Sequence, residues 1–267
     1  MSNDTAASNP TERGAARWIT ALFIALGMAL LAGQSKAGQY THDQIIGFSE
    51  DGRYFAYETF GLQRGSGLPY ASIYVVDLDR DAWVSGTPFE ASEGEDAMAQ
   101  VEAAPYAALA ASRESVRQSA EPLLRDLNIR RPATVLYAAG IGQAHDASGT
   151  TQIDIPNPDD PTADPMGSFS LVLESITAPG GADYCYQPES LRGYRMTLQA
   201  PGAAAQTLHA DQRIPASRGC PTAYRLDAVV SAGYPQESST LVAMISVWRQ
   251  GFEGQERHVI SLPVPMP

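Results

Sequence analysis

The stretch Phe48-Ser49-Glu50-Asp51-Gly52-Arg53-Tyr54-Phe55-Ala56-Tyr57 decides the fold class. Ile45-Ile46-Gly47-Phe48 leads into Ser49-Glu50-Asp51-Gly52, a turn signal with Asp-Gly at its centre. Arg53 to Thr59 follows as an aromatic-rich strand pattern. Gly61 to Pro69 is a glycine-rich loop, and Ser72-Ile73-Tyr74-Val75-Val76-Asp77-Leu78 is the next strand. Asp79-Arg80-Asp81 then turns the chain into a third strand at Ala82-Trp83-Val84.

Downstream, the acidic, alanine-rich stretch Glu90–Ala104 opens into one long amphipathic helix over about 97–128. Leu109, Val116, Ala120, Leu123, Leu124 and Leu127 fall on one face at helical spacing, with Arg113, Glu114 and Arg117 off it. Pro122 predicts a kink or split there. After Arg130-Arg131-Pro132 the pattern is strands to the end: 133–138, 150–155, 169–176, 194–199, 206–210, 224–231, 241–249 and 257–262. Many short strands with turns between them predict a mainly β fold of antiparallel sheets, in a sandwich-like or meander arrangement. No clear linker divides the chain, so one domain is expected over 38–267.

Upstream, Arg13 and Arg17 precede the apolar run Trp18–Ala32, followed by Gly33-Gln34-Ser35-Lys36-Ala37-Gly38. A basic segment, an apolar segment of about fifteen residues and a small-x-small site are the three parts of a secretory signal. Cleavage is expected between Ala37 and Gly38. A spanning helix needs roughly twenty apolar residues, so no stable membrane anchor is expected after cleavage. The implied address is the bacterial periplasm or the exterior.

The full chain carries a net charge of −12, and loss of residues 1–37, with two acids and three bases, takes it to −13. An acidic surface repels phosphate backbones, so nucleic acid is excluded as a partner. Lys36 is the only lysine, and it lies in the removed segment. Schiff-base chemistry is therefore excluded for the mature protein. Cys185 and Cys220, the only two cysteines, read as one disulfide in an exported chain.

No motif rises to a named chemistry, and no catalytic residue, metal or cofactor is assigned. His42, His145, His209 and His258 lack metal-ligand spacing. The string Asp77-x-Asp79-x-Asp81 lacks the glycine and glutamate of a calcium loop and reads as a solvated turn. Glu58, Asp77 and Glu174 lie in or beside strands and read as solvent-facing. Tyr54, Phe55, Tyr57, Phe60, Tyr70 and Tyr74 crowd into one short region and alternate between both faces, which favours core packing over a binding platform. The candidate binding surface is the glycine-rich loop, with Arg64, Ser66 and Tyr70.

Two resemblances rest on these residues. Phe48–Tyr57 with Ile73-Tyr74-Val75-Val76-Asp77-Leu78 resembles a single blade repeat of the TolB-type β-propeller. No second copy follows, so this resemblance implies a local antiparallel meander. The wider pattern resembles the uncharacterised family of predicted secreted bacterial proteins, domain of unknown function 2259. It is carried by Gly47-Phe48-Ser49, Asp51–Ala56, Gly65–Tyr70, Ile73–Leu78, Ser217-Arg218-Gly219-Cys220-Pro221 and Gly251-Phe252-Glu253-Gly254. It implies export and brings no site residue or ligand. The expected function is a non-catalytic binding or envelope-associated domain for a protein, peptide or glycan. The alternative is a carboxylate-based periplasmic hydrolase.

Overall fold

The Asp51-Gly52 turn closes on its own side chains. The computed structural model describes residues 41–63, 66–92, 98–139, 148–160, 162–181, 184–233, 240–251 and 254–267. Gly52 takes φ 73°, which favours glycine, and its N–H donates to the Ser49 carbonyl at 3.0 Å. Ser49 Oγ donates to Asp51 Oδ1 at 2.5 Å and accepts from the Tyr54 N–H at 2.8 Å. Strands β1 (His42–Ser49) and β2 (Tyr54–Leu62) then pair antiparallel, with Phe48 opposite Phe55. Strand β3 (Pro69–Asp77) continues the meander with Tyr74 opposite Tyr57. Two short strands, β4 (Ala82–Trp83) and β5 (Phe89–Ser92), both pair with β3.

The helical region breaks earlier than its sequence predicts. Helix α1 (Met98–Ala103) stops before Ala104, and α2 (Pro105–Asp126) begins with proline in its first turn. A proline disfavours helical backbone in the residue before it, and Ala104 sits at φ −151°, ψ 66°. Pro122 is carried inside α2. The helix ends at Asn128, left-handed at φ 54°, whose N–H donates to the Arg125 carbonyl at 2.9 Å. Strand β6 (Ile129–Arg131) then borders β1, with Ser49 opposite Ile129. A Cβ on Gly47 would lie 2.5 Å from the Arg131 carbonyl oxygen, so this close approach needs glycine.

Two four-stranded antiparallel sheets complete the fold. One has the order β11-β10-β9-β8, from β8 (Gly149–Ile155), β9 (Gly167–Thr177), β10 (Arg192–Gln199) and β11 (Gln206–Ala210). The other has the order β14-β13-β12-β7, from β7 (Ala133–Ala138), β12 (Pro221–Ala232), β13 (Thr240–Gly251) and β14 (Gly254–Pro265). Strand alternation shows how the layers stack. Leu241, Ala243, Ile245 and Val247 pack against Phe169, Leu171, Tyr194 and Met196 of the β8–β11 sheet. Val242 and Met244, pointing the other way, pack against Phe48, Phe55, Tyr57 and Val76 of the β1–β6 sheet. The β7/β12–β14 sheet is therefore the middle layer, apolar on both faces, and β13 is buried from Leu241 to Trp248. On the outer face of the β1–β6 sheet, Ala56, Ala71, Ile73 and Val75 meet Val116 and Ala120 of α2. The order is helix, sheet, sheet, sheet.

The mainly β, antiparallel expectation holds. The propeller-blade resemblance is not borne out, because the blade-like stretch belongs to a six-stranded sheet and the sheets stack face to face. Cys185 and Cys220 form a disulfide with Cα atoms 5.8 Å apart. Glu58 and Asp77 do not face solvent. Glu58 is fully buried under α2, held by Arg113 and Arg117, each at 2.7 Å. Asp77 is buried at the end of β3 and paired with Arg53 at 2.7 Å.

Candidate functional site

The aromatic residues of the opening hairpin form a ladder. Ring centroids step from Phe48 to Phe55 at 4.8 Å, Phe55 to Tyr57 at 5.8 Å, Tyr57 to Tyr74 at 5.0 Å and Tyr74 to Trp83 at 5.3 Å. The ladder starts in the core and ends at Trp83, which is 46% exposed. Trp83 stands at a cleft of about 290 Å³ where all three sheets contribute. Tyr57, Val76, Ile260 and Leu262 give it apolar walls. Asp81, His209, Ser217, Arg218 and Ser261 give it polar ones.

Each polar wall has a local cause. Asp81 closes the turn between β3 and β4 in the left-handed conformation, φ 47°, which aspartate tolerates better than most residues. Asp77 and Asp79 both turn to Arg53, at 2.7 and 3.4 Å. Asp81 makes no ion pair or hydrogen bond among the described residues. Desolvation lifts its carboxyl above the ordinary aspartate range, with the His209 charge opposing. Across the cleft, the end of β11 carries His209, whose ring stacks on Tyr194 at 4.4 Å. His209 Nε2 lies 2.9 Å from Asp211 Oδ1. Asp211 Oδ2 accepts from Arg218 Nη1 at 2.6 Å and from the Tyr194 N–H at 2.8 Å. Burial of Asp211 opposes its charge, but His209, the Arg218 charge and the Tyr194 N–H together hold its carboxyl below the ordinary range. An ionised Asp211 only accepts, which assigns the His209 proton to Nε2. Arg218 also lies over Tyr194 at 5.0 Å and Tyr224 at 5.7 Å. Burial pushes the Tyr224 hydroxyl up to about 12 against the pull of Arg218.

Ser217 and Arg218 sit in a short 3-10 turn, Ala216–Arg218. Gly219, left-handed at φ 67°, follows it, and then Cys220 of the disulfide. The bridge therefore anchors the segment that supplies one wall of the cleft. His209-x-Asp211 was visible in the sequence as two polar residues on one side of a strand end. Nothing there signalled that Arg218 and Asp81 would join them.

The described residues of the glycine-rich loop do not line this cleft. Ser66 Oγ lies 3.2 Å from Gln63 Oε1 and 3.2 Å from the Leu68 nitrogen, bonded within the loop. The Tyr70 hydroxyl is bonded to Thr41 Oγ1 at 2.8 Å. Arg64 and the Ala37–Gly38 cleavage site lie outside the described residues. Among the described residues no group of histidine, cysteine, aspartate and glutamate side chains could hold a metal ion, and no helix is long and apolar enough to cross a membrane.

Fold and site together define a β-rich protein of three stacked sheets with a polar and aromatic cleft at their common edge. The chain belongs to the family described as predicted secreted proteins, DUF2259, whose family model matches residues 56–264. No curated protein and no solved structure matches the chain.

Proposed function

We propose that residues 38–267 act in the periplasm, after cleavage behind Ala37, as a non-catalytic binding domain whose ligand site is the Asp81–Trp83–His209–Arg218 cleft. One observation carries this reading. Trp83 and Asp81 present an exposed indole and a carboxylate with no partner among the described residues to a cavity whose other charges are already oriented by partners. Ligand sites are concave, mostly apolar and furnished with a few placed polar groups, and the cleft matches that pattern. The glycine-rich loop is the weaker candidate, because its described polar side chains bond within the loop or to Thr41. Family membership supports export.

The test uses the mature chain and an Ala82→Trp variant that fills the mouth of the cleft. Both are incubated with a small-molecule extract of periplasm, freed of unbound material, denatured and analysed by mass spectrometry. The mature chain should release one or a few compounds that the plugged variant does not. Equal release from both, or from neither, overturns the reading. His209, oriented by Asp211 at 2.9 Å, is placed as a general base would be, and recovery of a cleaved compound would move the assignment to a hydrolase, one built on histidine and not on a carboxylate pair.

A further inference from the structure

We infer that the cleft takes a small zwitterion, an α-amino acid or short peptide, with its ammonium on Asp81 and Trp83 and its carboxylate on Arg218. This deepens the binding reading above and rests on it. Arg218 is held from three sides, by Asp211 at 2.6 Å, by the Tyr224 hydroxyl at 3.3 Å, and by the Tyr194 ring beneath it. Its hydrogen bonds among the described residues leave from Nη1. Nε and Nη2, the side edge of the guanidinium fork, have no hydrogen-bond partner among the described residues. That edge is the one that grips a carboxylate with two parallel bonds. Because Asp211 fixes the group and offsets its charge, a carboxylate arriving there meets a pre-organised donor pair.

The opposite wall has the complementary chemistry. Asp81 carries a carboxylate with no hydrogen-bond or ion-pair partner among the described residues, in a turn whose left-handed backbone fixes its origin. Two residues on, Trp83 offers a ring braced from behind by Tyr74 at 5.3 Å. A carboxylate beside an aromatic face is a receptor for an ammonium group, through ion pairing and cation–π attraction together. A lone amine leaves the free edge of Arg218 unfilled, and a lone acid leaves Asp81 without a counter-charge. Only a molecule with both charges satisfies both walls, and the cavity, at about 290 Å³, suits one the size of an amino acid or dipeptide.

The mature chain contains two tryptophans, Trp83 at the cleft and Trp248 buried in the core. Trp83 emission therefore reports occupancy, with Trp83→Phe as the blank. The mature protein is titrated with free amino acids and dialanine, then with the same molecules acetylated at the amine or amidated at the carboxyl, and with neutral monosaccharides. At least one zwitterion should bind. Either blocking group should weaken it by about tenfold or more, the loss of one charge-assisted contact. Asp81→Asn, at an exposed position with no partner among the described residues, should fold normally and lose the discrimination against the acetylated amine. Blocked molecules or sugars binding as well as the zwitterion would overturn the ligand class. So would a panel with no binder. In either case, release of another compound class by the mature chain, and not by Ala82→Trp, would leave the cleft standing as a binding site. No release from either protein would remove both.

Discussion

Arg257 and Asp227 meet at 2.6 Å in the middle sheet, where each is less than a tenth exposed. The pair does not stand alone. Asp227 also accepts from Arg225 Nε at 2.7 Å and from Ser246, while Arg257 reaches Asp43 at 2.8 Å and the Thr41 carbonyl. The cluster ties the start of β1 to β12, β13 and β14. A buried carboxylate between two guanidinium groups is costly to break from one side, because the remaining charges stay out of water.

Asp227→Ala should therefore lower stability by about 3–5 kcal/mol, leaving Arg225 and Arg257 without their shared acceptor. Arg225→Ala should cost less, since Arg257 still holds Asp227. Urea midpoints of the two variants check this order, and equal midpoints would contradict it.

The clamp under α2 is asymmetric in another way. Glu58 is fully buried, whereas the side chains of Arg113 and Arg117 are 22% and 43% exposed. Removing both arginines strands a buried carboxylate, at a cost of about 3–5 kcal/mol. Replacing Glu58 with Met frees two arginines that can turn to water, and should cost less. Hydrogen exchange should show α2 opening in the Arg113→Ala/Arg117→Ala double variant, and far less in Glu58→Met.

Acid should act on two groups in separate windows. Burial lowers the His258 imidazole below its ordinary range, against the pull of Glu256. The unfolded chain then takes up a proton first, so stability falls as pH drops below about 6.5 towards the folded value. Asp211 is held below the ordinary aspartate range, so its contribution is complete above about pH 4 and is lost as pH falls through its folded value. Thermal melts from pH 8 to pH 2 should show both slopes. His258→Gln should flatten the upper one and Asp211→Asn the lower one.

The Cys185–Cys220 bridge spans 35 residues, for which chain entropy gives about 3–4 kcal/mol. Cys185→Ala/Cys220→Ala should lose stability on that order. Because Arg218 and Ser217 adjoin Cys220, the same variant should also bind any cleft ligand more weakly. A variant that loses stability and keeps full affinity would separate the bridge from the site. The unreduced mature protein should show no titratable thiol when denatured.

Gly47→Ala addresses the edge between β1 and β6. Its Cβ would meet the Arg131 carbonyl oxygen at 2.5 Å from a backbone φ of 146°. A loss above about 1 kcal/mol is expected, larger than for Gly149→Ala, where a Cβ meets nothing within 4 Å.

Local chemistry alone determined much of this protein. The Asp51-Gly52 turn, the strands from Ala133 to the C-terminus and the pairing of the two cysteines follow from turn residues, period-two patterning and cysteine count. These signals act between near neighbours, or need no geometry at all. The break at Pro105 was local too, since a proline disfavours helical backbone in the residue before it, whereas Pro122 is carried in the helix interior. Which residues share a site was decided by tertiary structure. Glu58 reads as an exposed strand acid until α2 covers it. Asp81 sits 128 residues before His209 and 137 before Arg218, and no sequence period links them. Only the stacking of three sheets brings a turn, a strand end and a disulfide-anchored loop to one cleft. Face-to-face packing depends on the summed apolar faces of whole sheets, which no short stretch of sequence encodes.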